Sequence, residues 1–159
     1  MQAVVFNPIG VIHTPFKQPK GTPIQPWRSS HAHGTIDLLP EYIPGLKDLE
    51  GFSHIVLLYH FHLSSSYELS VVPYLDDQPR GLFATRAPRR PNGIGLSVVR
   101  LLKVDGGTLE IENVDMIDGT PLLDIKPYVP HFEEAEEIRI GWLEGKADGA
   151  SGTEADDRF

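Results

Sequence analysis

Apolar residues in this chain come in short alternating bursts, not at helical spacing. In the strongest burst, residues 53–63, Ile55, Leu57, Tyr59 and Phe61 interleave with Val56, Leu58, His60 and His62. A period of two predicts a strand, and the apolar character of both faces in its first half predicts burial on both sides. Residues 4–12, 34–38, 69–74, 96–104, 108–114, 122–126 and 138–142 read as further short strands, and Leu82-Phe83 as the end of another. Asp105-Gly106-Gly107 separates two of these runs and signals a hairpin. Residues 40–49 admit one helical turn, interrupted at Pro44-Gly45. No segment sustains a 3.6-residue apolar period beyond about three turns. About eight short strands punctuated by Pro and Gly predict an all-β sandwich or barrel with little helix.

Three stretches fall outside this pattern. Residues 13–30 carry four prolines and one glycine, and a loop of that length in a compact domain is usually functional or mobile. Residues 145–159, GKADGASGTEADDRF, hold almost nothing apolar and predict a disordered acidic tail, leaving residues 1–144 as one domain. The third stretch, residues 81–97, reads GLFATRAPRRPNGIGLS. Prolines and glycines bend and fix its backbone, while Arg86, Arg89, Arg90 and Asn92 supply forked donors and an amide. Such a loop suits an oxygen-rich or anionic ligand. The other reading of these arginines is structural, as braces on backbone carbonyls around a tight loop.

Composition narrows the partners. The chain has 159 residues, 40% of them apolar, no cysteine and a net charge of -8. Lack of cysteine leaves no disulfide or thiolate metal site and makes a reducing cytoplasm the expected compartment. No membrane span or export leader is expected. The acidity is uneven: residues 1–132 hold 13 acidic and 11 basic side chains, against 9 and 3 in residues 133–159. A nearly neutral body with a local arginine patch can still bind phosphate, with a shallower salt dependence than a broadly basic protein. His60 and His62 share a strand face, and His31 and His33 repeat the spacing. Hydrogen-bonded histidines are commoner at such positions than metal ligands, and no metal is expected.

The loop and its surroundings resemble one family closely. TsaA-like domains, typified by the TrmO tRNA methyltransferases, carry G-(V/L)-F-(A/S)-T-R-x-x-x-R-P-N-x-I-G, matched here from Gly81 to Gly95. IGVIHTPF at residues 9–16, Gln25-Pro26, GFSHI at 51–55, Phe61-His62 and VDMIDGTPLLDIKPYVP at 114–130 match further blocks in order. The resemblance covers roughly residues 7–132, and motifs this long are far more specific than a lone glycine pattern. It implies a compact β-barrel built from a single sheet. It also implies S-adenosylmethionine as methyl donor and a homodimer with sites near the subunit interface. The implied acceptor is N6 of threonylcarbamoyl-adenosine beside the anticodon, so the tRNA anticodon stem-loop is the implied partner. Larger family members carry a second, C-terminal domain.

Carried over position by position, the resemblance implies a cofactor site made of Pro26, Trp27, Arg28, His62, Leu63, Arg86, Leu96, Asn113, Val114 and Asp115. Trp27-Arg28 departs from the small residues common after Gln-Pro; it could add a stacking ring and a carboxylate partner, or close the pocket. Acceptor nitrogen must lose a proton during transfer, so Asp115 and Asp118 are the candidate catalytic carboxylates. Asp115 could instead bind a ribose hydroxyl, and Asp118-Gly119 could be a plain turn. Arg89, Arg90, Asn92 and Tyr128 are candidate substrate contacts, Asn92 also being a turn residue and Tyr128 a packing one. The competing readings are methyl transfer to another RNA or a small amine, a module that binds the nucleoside or an anion without turnover, and a histidine-dependent metal hydrolase.

Overall fold

A computed structural model of the chain describes residues 2–24, 31–132, 135–147 and 153–156. Six strands close into an antiparallel barrel in the order β1 (Gly10–His13), β2 (His33–Leu38), β7 (Thr108–Glu112), β6 (Ile94–Asp105), β3 (His54–His60) and β8 (Thr120–Pro127), with β8 returning to β1. The other two strands, β4 (Ser70–Val71) and β5 (Arg80–Gly81), pair outside the barrel as a short ribbon. About eight strands in one sheet is therefore corrected to six in the barrel plus a ribbon. Among the described residues helix is limited to short 3-10 turns, the longest Pro40–Leu46.

Inward positions follow the period of two. Ile12, Ile36, Ile55, Leu57, Val99, Leu109, Ile111 and Leu122 are fully buried in one core, joined by Leu46 from the 3-10 turn and by Val114 and Met116 after β7. Two β-bulges adjust that alternation. On β8, Leu122 pairs with Tyr59 while Asp124 pairs with Leu58, so Leu123 is the inserted residue. Leu122 and Ile125 thereby both reach the core, although three positions apart. On β6, Leu102 is the extra residue between Leu101 and Lys103. The β6–β7 hairpin turns at Gly106, whose φ of 59° favours glycine.

Several sequence expectations shift. The first strand starts at Gly10, where a Cβ would meet the carbonyl oxygen of Asp37 at 2.5 Å; Val4, Val5 and Phe6 are exposed. Leu82–Ala84 is a 3-10 turn, not a strand end, and Gly141–Leu143 is another, replacing the strand expected over residues 138–142. The outer face of β3 is only half-buried at Val56 and Leu58, because the outside of a barrel is not covered by its own chain. Residues 153–156, within the stretch read as a disordered tail, lie against residues 21–24 through a bridge between Pro23 and Glu154 and bonds linking Ala155 to Gly21 and Thr22. Among the described residues no helix is long and apolar enough to cross a membrane.

Candidate active site

A cavity of about 1060 Å³ opens beside the C-terminal end of β3 and the N-terminal end of β6. Its walls come from distant segments: His62 and Leu63 after β3, Phe83 to Arg90 after β5, Ile94 and Leu96 on β6, and Asp115 to Ile117 after β7. Pro19, Thr22 and Ala155 line another side, and Trp142 and Leu143 close a further one. Apolar walls with a few convergent polar groups are the usual make-up of a small-molecule site.

Each wall is fixed locally. His62 and Leu63 follow β3 in a turn closed by the Ser64 amide on the Phe61 carbonyl, 3.0 Å. Thr120 Oγ1 lies 3.5 Å from His62 Nδ1. Burial, together with neighbouring His60, lowers the His62 pKa and favours a neutral ring. In the arginine loop, Thr85 Oγ1 donates to the Leu82 carbonyl at 2.8 Å and accepts from the Ala87 amide at 3.3 Å. Arg90 Nη1 donates to the carbonyls of Leu82, Thr85 and Ala87 at 3.5, 3.0 and 3.3 Å, and its guanidinium sits 5.8 Å over the Phe83 ring. Arg90 is thus committed to holding the loop and the ring, while Arg86 is exposed at the cavity wall. On β6, Gly95 leaves room for the Tyr59 and Phe61 rings, which a Cβ there would run into.

Asp115 is reached by a sharp change of direction after β7. Asn113 takes a left-handed φ of 67°, which asparagine tolerates, and its amide donates to the Ala32 carbonyl at 2.9 Å. Val114 then drops into the core and Asp115 faces the cavity. Ser97 Oγ donates to Asp115 Oδ1 at 2.7 Å, and Tyr59 Oη lies 3.0 Å from Ser97 Oγ. Burial pushes the Asp115 carboxyl up to about 7, against the opposing pull of Ser97 and the Arg86 charge. Burial raises the Tyr59 hydroxyl as well.

The structure brings together His62, Leu63, Arg86, Arg89, Arg90, Leu96 and Asp115. Pro26, Trp27 and Arg28 lie outside the described residues. Asn113 and Val114 support the approach to Asp115 without lining the cavity. Asp118 is elsewhere: it accepts from the Thr14 amide at 3.0 Å and Lys17 Nζ at 2.6 Å, in a second hollow shared with His13 and His33. Lys17 first, and the Thr14 amide next, hold its pKa below the ordinary carboxylate value. Asn92 is exposed in the turn before β6, with its carbonyl accepting from the Ile94 amide at 2.7 Å. Tyr128 lies at the far end of β3, its amide bonded to the His54 carbonyl. His31 and His33 face Glu112 and His60 meets the Gly93 carbonyl; no metal-sized cluster of three or more ligating groups exists among the described residues. Sequence reasoning missed Tyr59, Ser97, Phe83 and Trp142. A legible signal existed for Ser97, a lone hydroxyl among the inward positions Gly95, Val99 and Leu101.

A closed antiparallel barrel with a mixed apolar and charged cavity at one end defines a ligand-binding class distinct from the open parallel sheets that hold dinucleotides. The chain belongs to the tRNA-methyltransferase O N-terminal domain family, whose pattern it matches over residues 11–134. It is 52% identical over 156 residues to a probable S-adenosyl-L-methionine-binding protein of Pyrococcus abyssi, covering 98% of this chain and 85% of that protein. It is 39% identical over 146 residues to the mouse tRNA (adenine(37)-N6)-methyltransferase, covering 86% of this chain and 33% of the mouse protein. A crystal structure of TrmO from Pseudomonas aeruginosa superposes with a TM-score of 0.74 at 40% identity, over 89% of this chain and 63% of that one. The chain therefore spans most of the archaeal relative but less than two thirds of the solved bacterial protein.

Proposed function

We propose that this protein is a cytoplasmic, S-adenosylmethionine-dependent tRNA methyltransferase, transferring a methyl group to N6 of the adenosine next to the anticodon. The finer acceptor is its threonylcarbamoyl derivative, and the working form is a homodimer. One observation carries the reading: Arg86 and Asp115, opposite charges drawn from two distant motifs, face a single cavity large enough for a nucleoside. Family membership and the activities named for the relatives agree with it.

The residues fit the cofactor chemically. Arg86 would pair with its carboxylate, Leu63 and Leu96 would flank its apolar parts, and the turn at His62 would border it. When bound, S-adenosylmethionine would supply a sulfonium-linked methyl group for the acceptor nitrogen, whose N6 proton would need a base in the protein. Asp115, which faces the cavity, would receive that proton, and a carboxyl pushed up to about 7 suits the task. Phe83, 74% exposed with Arg90 over its ring, offers a face on which an unstacked base can lie. Support for the homodimer is the apolar stripe of Val56, Leu58, Ile94, Leu96 and Val98 on the outside of β3 and β6, which runs into the cavity mouth.

Calorimetry with S-adenosylmethionine and radiolabelled methyl transfer to tRNA transcripts, with and without the threonylcarbamoyl group, test this. Binding plus transfer only to modified tRNA is expected, and Arg86→Ala should weaken cofactor binding by tenfold or more while melting at the wild-type temperature, roughly the loss of one charged hydrogen bond. Equal transfer to unmodified tRNA would remove the threonylcarbamoyl requirement. Absence of cofactor binding would end the reading altogether.

A further inference from the structure

We propose that Tyr59 and Ser97 are positioning residues that act through Asp115, as a two-step hydrogen-bond relay setting the orientation and proton affinity of the carboxylate that receives the acceptor's proton. The relay presupposes the methyl transfer proposed above.

The direction of the relay follows from hydrogen counting. Ser97 Oγ has one hydrogen, and it is given to Asp115 Oδ1 at 2.7 Å. The bond of 3.0 Å between Tyr59 and Ser97 must then be donated by the tyrosine hydroxyl. The donors therefore run from Tyr59 to Ser97 to Asp115, and end on a carboxylate. Such a chain polarises each member and favours the charged end group. Both donor side chains are nearly fully buried, Tyr59 at 4% and Ser97 at 2% exposure.

Packing alone does not account for the pair. Their neighbours at inward positions of β3 and β6 are Ile55, Leu57, Val99 and Leu101, all apolar. Phenylalanine and alanine would fill the same two places without two hydroxyls to desolvate. The other inward positions of β3 and β6 are apolar or glycine, and the two hydroxyls that interrupt them lead to Asp115. The charged and titratable groups around Asp115 are the Arg86 guanidinium from the loop after β5, with Arg89 and Arg90 in the same wall, and His62 beyond the end of β3. Ser97 gives Asp115 its side-chain hydrogen bond, so changing it alters the carboxylate without removing any of these charges.

The test is a 13C NMR titration of the Asp115 carboxyl, paired with the pH profile of single-turnover methyl transfer. Removing a donor to the ionised form raises the carboxyl pKa. Ser97→Ala is expected to move both the titration and the acid limb of the rate profile upward by about one pH unit. Tyr59→Phe, nearly isosteric, should move them the same way by less. In an Asp115→Asn background, adding Ser97→Ala should change the remaining rate by less than about twofold, since the serine acts through the lost group. Cofactor affinity should stay within about twofold in the single variants at positions 59 and 97. A carboxyl titration unmoved in both folded variants would overturn the relay, as would losses that multiply in the double variant. A wild type that binds cofactor but transfers nothing would sink the methyl-transfer reading instead, while the NMR titration would still judge the hydrogen-bond chain by itself.

Discussion

Asp115 and Asp118 sit three residues apart in one motif, and their surroundings drive them in opposite directions. Lys17 and a backbone amide hold Asp118 below the ordinary carboxylate range, while burial beside the cavity pushes Asp115 up to about 7. Environments that split two carboxylates in this way separate a structural anchor from an acid–base group. Asp118-Gly119 reads as a turn, but nothing in Val-Asp-Met-Ile-Asp-Gly shows which carboxylate reaches a cavity, because their partners lie about a hundred positions earlier for Asp118 and 18 positions earlier for Asp115. The difference has a consequence for stability. A carboxyl whose folded pKa is raised binds more protons folded than unfolded, so its contribution to stability falls as pH rises between about 4 and 7. Asp115→Asn should slow transfer by about 10²–10⁴-fold yet raise the melting temperature at pH 8. The gain should fade toward pH 4, at no more than about 1.4 kcal/mol per pH unit, and chemical denaturation across that range measures it. The arginines differ too: Arg90 Nη1 is bonded to three backbone carbonyls, whereas Arg86 is exposed at the cavity wall.

Among the elements, the segment around Trp142 departs most from its sequence expectation. Alternating Ile138, Ile140 and Trp142 resemble a strand, but no barrel edge is open to receive them. The segment instead folds over the ribbon side of the cavity. Trp142 Nε1 donates to the Ala84 carbonyl at 2.8 Å and Arg80 lies 5.6 Å over its ring. Asp76 ties both ends, accepting from Arg80 at 2.6 Å and Lys146 at 2.7 Å with its side chain only 1% exposed. These cations hold its carboxyl far below the ordinary range. Asp76→Asn should free residues 141–147: hydrogen exchange there is expected to accelerate at least tenfold while β3 and β6 amides keep wild-type protection. Uniform acceleration across the barrel would mean that the segment is integral to the core.

Seen whole, the barrel is complete as a hydrogen-bonded surface but not as a covered one. Ile94 and Leu96 remain 39% and 49% exposed on β6, beside half-buried Val98, Val56 and Leu58. A second copy over this stripe would bury it and narrow the cavity mouth. Val98→Glu, outside the cavity lining, should convert a dimer to monomer in sedimentation and weaken cofactor binding together with it; a monomeric wild type would exclude the arrangement. The residue order by itself determined the strands of the barrel interior, the hairpin at Gly106 and the loop of arginines, because period-two burial and turn chemistry are local. It also carried the family motifs. Only the tertiary structure decided that six strands close while two do not, that bulges at Leu123 and Leu102 reset the inward face, and that Asp115 rather than Asp118 shares a cavity with Arg86. Those outcomes depend on pairings between segments distant in the chain, and no local preference encodes which buried partner a side chain will find.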